Sequence, residues 1–154
     1  MKKLGLFLIS LSFLAACNSA GPSEEAQSSA GDDIATLKDE VMALHDKVMP
    51  EMTPMSKLQS QLLNASVGSA DSITIVTTAT ELKYAKDAMM KWMHDYSNTW
   101  DEAWTNEEKA VFLKGEKEKM ARIDELTQQA LSNGQSMLEQ LSAKTDSVPA
   151  DLAE

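Results

Sequence analysis

Two short stretches of this sequence combine histidine with methionine. HDKVMPEM contains His45, Met49 and Met52, and AMMKWMHD contains Met93 and His94. Thioether sulfur and imidazole nitrogen are ligands that suit Cu(I), so these five residues form a candidate soft-metal site. Methionine at helical spacing is also a common filler of irregular cores, where it binds nothing. The choice between a copper site and plain packing stays open at this point.

Apolar residues in steps of three and four predict the helices that would position the two stretches. The first helix is expected from about residue 33 to 64. Pro50 and Pro54 interrupt it, because proline removes a backbone hydrogen bond, and a kink or short break is predicted there. Residues 65–71 predict a turn, and the second helix begins between residues 72 and 77.

The third helix has a recognisable start. In TNEE, Thr105 precedes Glu108 by three residues, which is the pattern of a capping box. Asn133 and Gly134 are expected to kink or split this helix, because glycine weakens a helix interior. Together the three segments predict an all-α fold, an elongated antiparallel three-helix bundle that resembles a coiled coil and spans residues 32–144.

Antiparallel pairing of the first two helices sets the height of each candidate residue. Met42, His45 and Met49 should lie level with residues 87–94, so the two Met/His stretches are expected to meet. If methionine side chains reach the surface there, Met42, Met49 and Met90 would form a patch suited to a partner protein, since methionine surfaces adapt to varied ligands. The patch could equally serve self-association.

The first residues predict export and lipidation. MKKLGLFLISLSFLAAC has two lysines, a short apolar run and small residues before a cysteine, as a secretory signal does. Leu14 to Cys17 resemble a bacterial lipobox at all four positions, which implies cleavage before Cys17 and its acylation. The alternative is an ordinary signal peptide that leaves a free thiol. Residues 1–16 are therefore read as the signal peptide, 17–31 as the lipidated cysteine with a flexible tether, and 145–154 as a disordered tail.

Charge and motifs limit the function classes. The formal charge is −10, and loss of Lys2 and Lys3 with the signal makes the mature chain more acidic still, so nucleic acid is a poor partner. The sequence has no P-loop, nucleophile elbow or HExxH string, and an enzyme is not expected. We predict an outer-membrane lipoprotein, held to the bilayer by acylated Cys17, with a structural or protein-binding role. Copper binding or a chaperone-like role is the alternative, and the membrane face is open.

Two resemblances accompany this prediction. EVMALHDKVMPEM and AMMKWMHDY, with the lipobox, resemble a family of small uncharacterised helical lipoproteins of Bacteroidota that carry HDxVMPxM-like and MMxWM-like strings. This resemblance covers about residues 34–141 and implies a helical, membrane-anchored protein without naming an activity. ELTQQA is similar to the LTxxQ strings of periplasmic chaperones of the Spy type, but Ala130 stands where that string requires glutamine.

Overall fold

The computed structural model describes residues 24–67 and 69–146, and this part of the chain is all-α, without a strand. A long first rod, a returning second helix and a third helix pack together, as the sequence predicted. The last helix alone is about 60 Å long at 1.5 Å per residue, so the bundle is elongated. The elements are α1 (Glu24–Val48), a 3₁₀ turn (Met49–Glu51), α2 (Met52–Ser66), α3 (Ser72–Thr99) and α4 (Asn106–Asp146).

The N-terminal predictions are tested only in part. The signal peptide, Cys17 and the first residues of the tether lie outside the described residues. α1 begins at Glu24, so the remainder of the segment predicted as a flexible tether is helical instead. α4 likewise continues to Asp146, into the predicted tail. Within the described ranges, no helix combines the length and the apolar character that a membrane span requires.

The predicted break in the first rod is confirmed. Met49–Glu51 forms a 3₁₀ turn, and α2 begins directly after it. Pro54 is the third residue of α2, where its missing N–H would have had no partner within the helix. The break changes the neighbours of the rod, because α1 packs against α4 whereas α2 packs mainly against α3.

The predicted capping box is also confirmed. Oε2 of Glu108 accepts hydrogen bonds from the backbone N–H and the hydroxyl of Thr105, both at 2.8 Å. In return, the N–H of Glu108 donates to Oγ1 of Thr105 at 3.3 Å. These donors favour the charged carboxylate and hold the pKa of Glu108 below its ordinary value.

The predicted split at Asn133 and Gly134 was wrong, since α4 runs unbroken through these residues. Gly134 is buried, and a Cβ placed on it would lie 2.5 Å from Cδ2 of Leu58 and 3.1 Å from Cδ1 of Leu82. The missing side chain therefore lets α4 approach α2 and α3 closely. Glycine was selected by packing here, and the tertiary contacts outweigh its weak helix propensity.

The buried residues form two clusters along the rod. The lower core, beside the α2–α3 turn, consists of aliphatic residues, three alanines and one methionine. The upper core, beside the α3–α4 turn, contains a tryptophan. Met52 packs against both. The lower core comprises Met55, Leu58, Leu62, Ile75, Ala79, Leu82, Ala85, Ala130 and Leu131. The upper core comprises Val41, Val48, Met89, Trp92, Leu113, Met120 and Ile123.

Candidate functional site

His45 lies at the height that antiparallel pairing predicted. Its ring centroid is 5.8 Å from that of Trp92 in α3. Its Nδ1 is 2.8 Å from Oδ1 of Asp46, the next residue in the chain. The imidazole is half-buried and packs on the tryptophan at the edge of the upper core.

The structure does not assemble the five candidate metal ligands. His94 is exposed, its Nε2 is 3.0 Å from Nδ2 of Asn98, and it follows the buried Trp92 by two positions, which turns it about 200° around α3. Met52 and Met93 pack against the cores. His94 therefore lies on a different side of α3 from Trp92, the ring that His45 contacts. The described residues also hold no group of three or more His, Cys, Asp or Glu side chains that could bind a metal ion. Copper binding itself stays a prediction.

The predicted methionine patch reaches the surface at two of its three members. Met90 is 56% exposed and Met49 is 37% exposed, whereas Met42 is half-buried. The role of the patch as a binding surface stays a prediction.

A buried carboxylate in the upper core was not foreseen. Glu116 is only 4% exposed, and its Oε2 accepts a hydrogen bond of 2.8 Å from Nε1 of Trp92. Its Oε1 accepts one of 2.7 Å from Nζ of Lys119. The carboxylate thus satisfies the indole N–H, and Lys119 compensates its charge. The sequence did contain an indication of this burial. Glu116 follows Leu113 by three residues and precedes Met120 by four, which places it on the apolar face of α4.

Aromatic rings continue from this point to the end of the bundle. The Trp92 and Tyr96 centroids are 5.0 Å apart, and Tyr96 lies 5.6 Å from Phe112. The ring centroids of Phe112 and Trp104 are 5.2 Å apart, and those of Trp104 and Trp100 are 6.1 Å apart. This ladder closes the top of the upper core, under the α3–α4 turn.

The hydroxyl of Tyr96 is buried within the ladder and has no hydrogen-bond partner among the described residues. Burial raises its pKa, and the nearby carboxylates of Glu116 and Glu102 raise it further. The phenol is therefore neutral over the physiological range, and its O–H is an unsatisfied group in an otherwise well-paired region.

Trp100 is held by one hydrogen bond and by two lysines that lie over its ring. Its Nε1 donates to Oε1 of Glu102 at 2.7 Å, which is the main cause of the lowered pKa of that carboxyl. Nζ of Lys38, in α1, lies 4.9 Å from the ring centroid, and Nζ of Lys109 lies 5.8 Å from it. These cations over the ring face tie α1 and α4 to the end of α3.

A concavity of about 760 Å³ lies at the start of α4, beside Trp104 and Phe112. A longer concave surface is an outer groove lined entirely by α3 and α4. It consists of two adjoining concavities, of about 410 Å³ and about 390 Å³, that share Tyr84. Along α3 it extends from Val76 to Asp95, about 28 Å at 1.5 Å per residue. The larger concavity is lined by Tyr84, Asp87, Ala88, Lys91, Trp92, Asp95, Glu116, Lys119, Arg122 and Ile123. The smaller is lined by Val76, Thr77, Thr80, Glu81, Tyr84 and Leu126.

The groove exposes apolar side chains. Tyr84 is 65% exposed and Val76 is 42% exposed, and Ile73 one turn earlier is exposed as well. Ile73, Val76, Thr80 and Tyr84 follow steps of three, four and four, so they mark a second apolar stripe on α3. That spacing was available in the sequence, but the stronger stripe of core residues on the same helix obscured it.

We compared the chain with protein-family models, with curated proteins and with solved structures. None of the three comparisons found a match. The resemblance to lipoproteins of Bacteroidota therefore stays a prediction that depends on the quoted strings.

Proposed function

We propose that this chain is a membrane-anchored envelope protein that binds another protein through the outer groove and carries out no catalysis. Acylated Cys17 would hold it to the outer membrane, and α3 and α4 would present the binding surface. The proposal joins the lipobox-like N-terminus with the surface features of the bundle.

The observation that carries the binding role is the exposed, concave apolar surface around Tyr84. Isolated apolar residues are normal on a protein surface, but apolar residues gathered in a groove mark sites of protein recognition. A groove between two helices with an apolar floor has the form that accepts a helix or an extended segment. Its length of about 28 Å would accommodate about five turns of helix.

Site-specific photo-cross-linking in cells tests the binding role. A photoreactive phenylalanine analogue at Tyr84 should give the same protein adduct in repeated experiments, identified by mass spectrometry. The same analogue at Lys57, an exposed residue of α2 outside the groove, is the matched control. Equal adducts at both positions, or none at Tyr84, would contradict binding through the groove.

The anchor is tested separately. Metabolic labelling with a palmitate analogue should modify the wild-type protein, and Cys17→Ser should abolish both the label and its recovery with membranes. The physical reason is that each buried acyl methylene contributes about 0.8 kcal/mol, so two or more chains hold a protein firmly. An unmodified Cys17 in the native protein would overturn the anchor and leave the groove proposal untouched.

A further inference from the structure

We propose that the larger concavity of the outer groove takes a partner segment that presents an acidic side chain next to an apolar one. The carboxylate would bind Arg122, and the apolar group would lie between Tyr84 and Ile123. This inference rests on the proposed function and deepens it, because it specifies the chemistry of the partner.

The acidic side chains that line the larger concavity are all paired with lysines. Asp87 pairs with Lys83, and Asp95 pairs with Lys91. The buried carboxylate of Glu116 is matched by Lys119. Each acidic side chain that lines the concavity thus has a lysine of this chain within ion-pair distance.

Arg122 has no such partner. It lines the concavity and makes no ion pair or hydrogen bond within the part of the chain that the structure describes. Glu118 and Glu125 lie one turn away on α4 but do not pair with it, and exposed pairs of that kind contribute at most about 1 kcal/mol. The unmatched charge of the concavity is therefore positive, although the whole chain carries −10.

The chemistry of the walls is the second argument. Trp92 lies in the floor, and since its N–H already donates to Glu116 it offers a ligand only apolar surface. Tyr84, Ala88 and Ile123 complete the apolar lining. A guanidinium beside an apolar surface suits a carboxylate that it can hold with two parallel hydrogen bonds. An acidic residue flanked by an apolar one meets both requirements.

Other occupants fit less well. A nucleic acid would be repelled by the acidic chain as a whole. A second copy of this chain would bring its own net charge of −10 against the first, which opposes association. The proposal therefore commits to a segment of a different protein.

Panning of a random displayed peptide library against the full-length protein in detergent tests the inference. Enriched peptides should place Asp or Glu beside Leu, Phe or another large apolar residue. The affinity of an enriched peptide should fall by about tenfold in Arg122→Glu and less in Arg122→Lys, since a tenfold loss corresponds to about 1.4 kcal/mol. Lys114→Glu is the matched control, because Lys114 is an exposed lysine of α4 outside the groove. Circular dichroism of each variant verifies that the bundle is retained.

The outcomes separate the two proposals. Peptide binding that is lost in Tyr84→Ala but unchanged in Arg122→Glu would keep the groove as a binding site and overturn the acidic partner. Enriched peptides without an acidic preference would overturn it as well. Binding that is indifferent to both variants would overturn the groove itself, and concentration-dependent dimers abolished by Tyr84→Ala would assign the groove to a second copy instead.

Discussion

The lower and upper cores are stacked along the same bundle but are built from different side chains. In the lower core, alanines and Gly134 bring the helix backbones close together, and the side chains that fill the space are aliphatic. In the upper core, Trp92 separates α3 from α4 and brings a polar N–H that Glu116 must satisfy. The groove runs past both cores, but Trp92 and Glu116 line only its larger concavity, beside the upper core.

The difference suggests a division of roles along the rod. In the lower core the side chains of neighbouring helices pack closely around Gly134, so a larger side chain there should lower the free energy of unfolding. The upper core is also apolar, but it contains the indole N–H of Trp92, which needs the carboxylate of Glu116 as its acceptor, so the loss of that acceptor should be harmful there.

Glu116→Ala should have the largest effect. It leaves the buried N–H of Trp92 without an acceptor, and an unsatisfied buried donor together with a small cavity should lower the free energy of unfolding by about 2–3 kcal/mol. Glu116→Gln keeps an acceptor oxygen and should lower it by less than about 1 kcal/mol. Urea unfolding followed by circular dichroism measures both. Glu118→Ala, an exposed glutamate of the same helix, is the control, and an equal effect of the two alanine variants would contradict the polar account of the upper core.

Gly134→Ala and Gly115→Ala should act in opposite directions. Alanine is favoured over glycine by about 1 kcal/mol in a helix interior, and nothing lies within 4 Å of a Cβ at Gly115, so that variant should be stabilised. At Gly134 the new Cβ meets Leu58 inside the lower core, and overpacking by about 1–3 kcal/mol should outweigh the helix preference. Thermal melts compare the two variants directly. Stabilisation by both would show that the lower core is not closely packed at this point.

The capping box should make the start of α4 sensitive to acid. Because the folded state lowers the pKa of Glu108, its contribution is complete above the unfolded value of about 4.3 and is lost as the pH falls through the lower folded value. Glu108→Gln should therefore be less stable than the wild type at pH 7 and approach it at pH 3. Glu107→Gln, in the same turn but without the cap contacts, is the control. Thr105→Ala should lower the stability by about 1 kcal/mol at neutral pH. A gap between wild type and Glu108→Gln that does not depend on pH would contradict this account.

Tyr96→Phe should have the smallest effect, and a favourable one. It removes a buried hydroxyl that has no partner among the described residues, so the free energy of unfolding should rise by up to about 1 kcal/mol. The raised pKa of Tyr96 adds a signature, because the wild type should lose stability as the pH rises above about 10 and the variant should lose less. Exposed Tyr84→Phe is the control for the neutral-pH effect. A clear loss of stability in Tyr96→Phe would reveal a hydrogen bond to that hydroxyl.

The sequence predicted those features that depend on neighbouring residues. Proline at positions 50 and 54 was enough to place the break, and the spacing of Thr105 and Glu108 was enough to place the start of α4. Both features depend on residues close together in the chain, so they can be predicted without knowing how the helices pack. The position of His45 along the bundle, beside Trp92, was also predictable, since it depends only on where the turn between α2 and α3 lies.

The features that the sequence did not predict depend on contacts between helices. Gly134 reads as a helix breaker until Leu58 and Leu82 are seen against it. Glu116 reads as an interruption of an apolar stripe until the N–H of Trp92 is found beside it. The relative orientation of His45 and His94 is a further example, because it depends on how α1 and α3 pack and neither helix specifies it alone.

The break at Met49–Glu51 has a mechanical consequence. Since α1 packs against α4 while α2 packs mainly against α3, a pull on the N-terminal end would strip α1 from α4 first and stop at the prolines. The lower core is built from α2, α3 and α4, so a load on α1 would reach it only through the break.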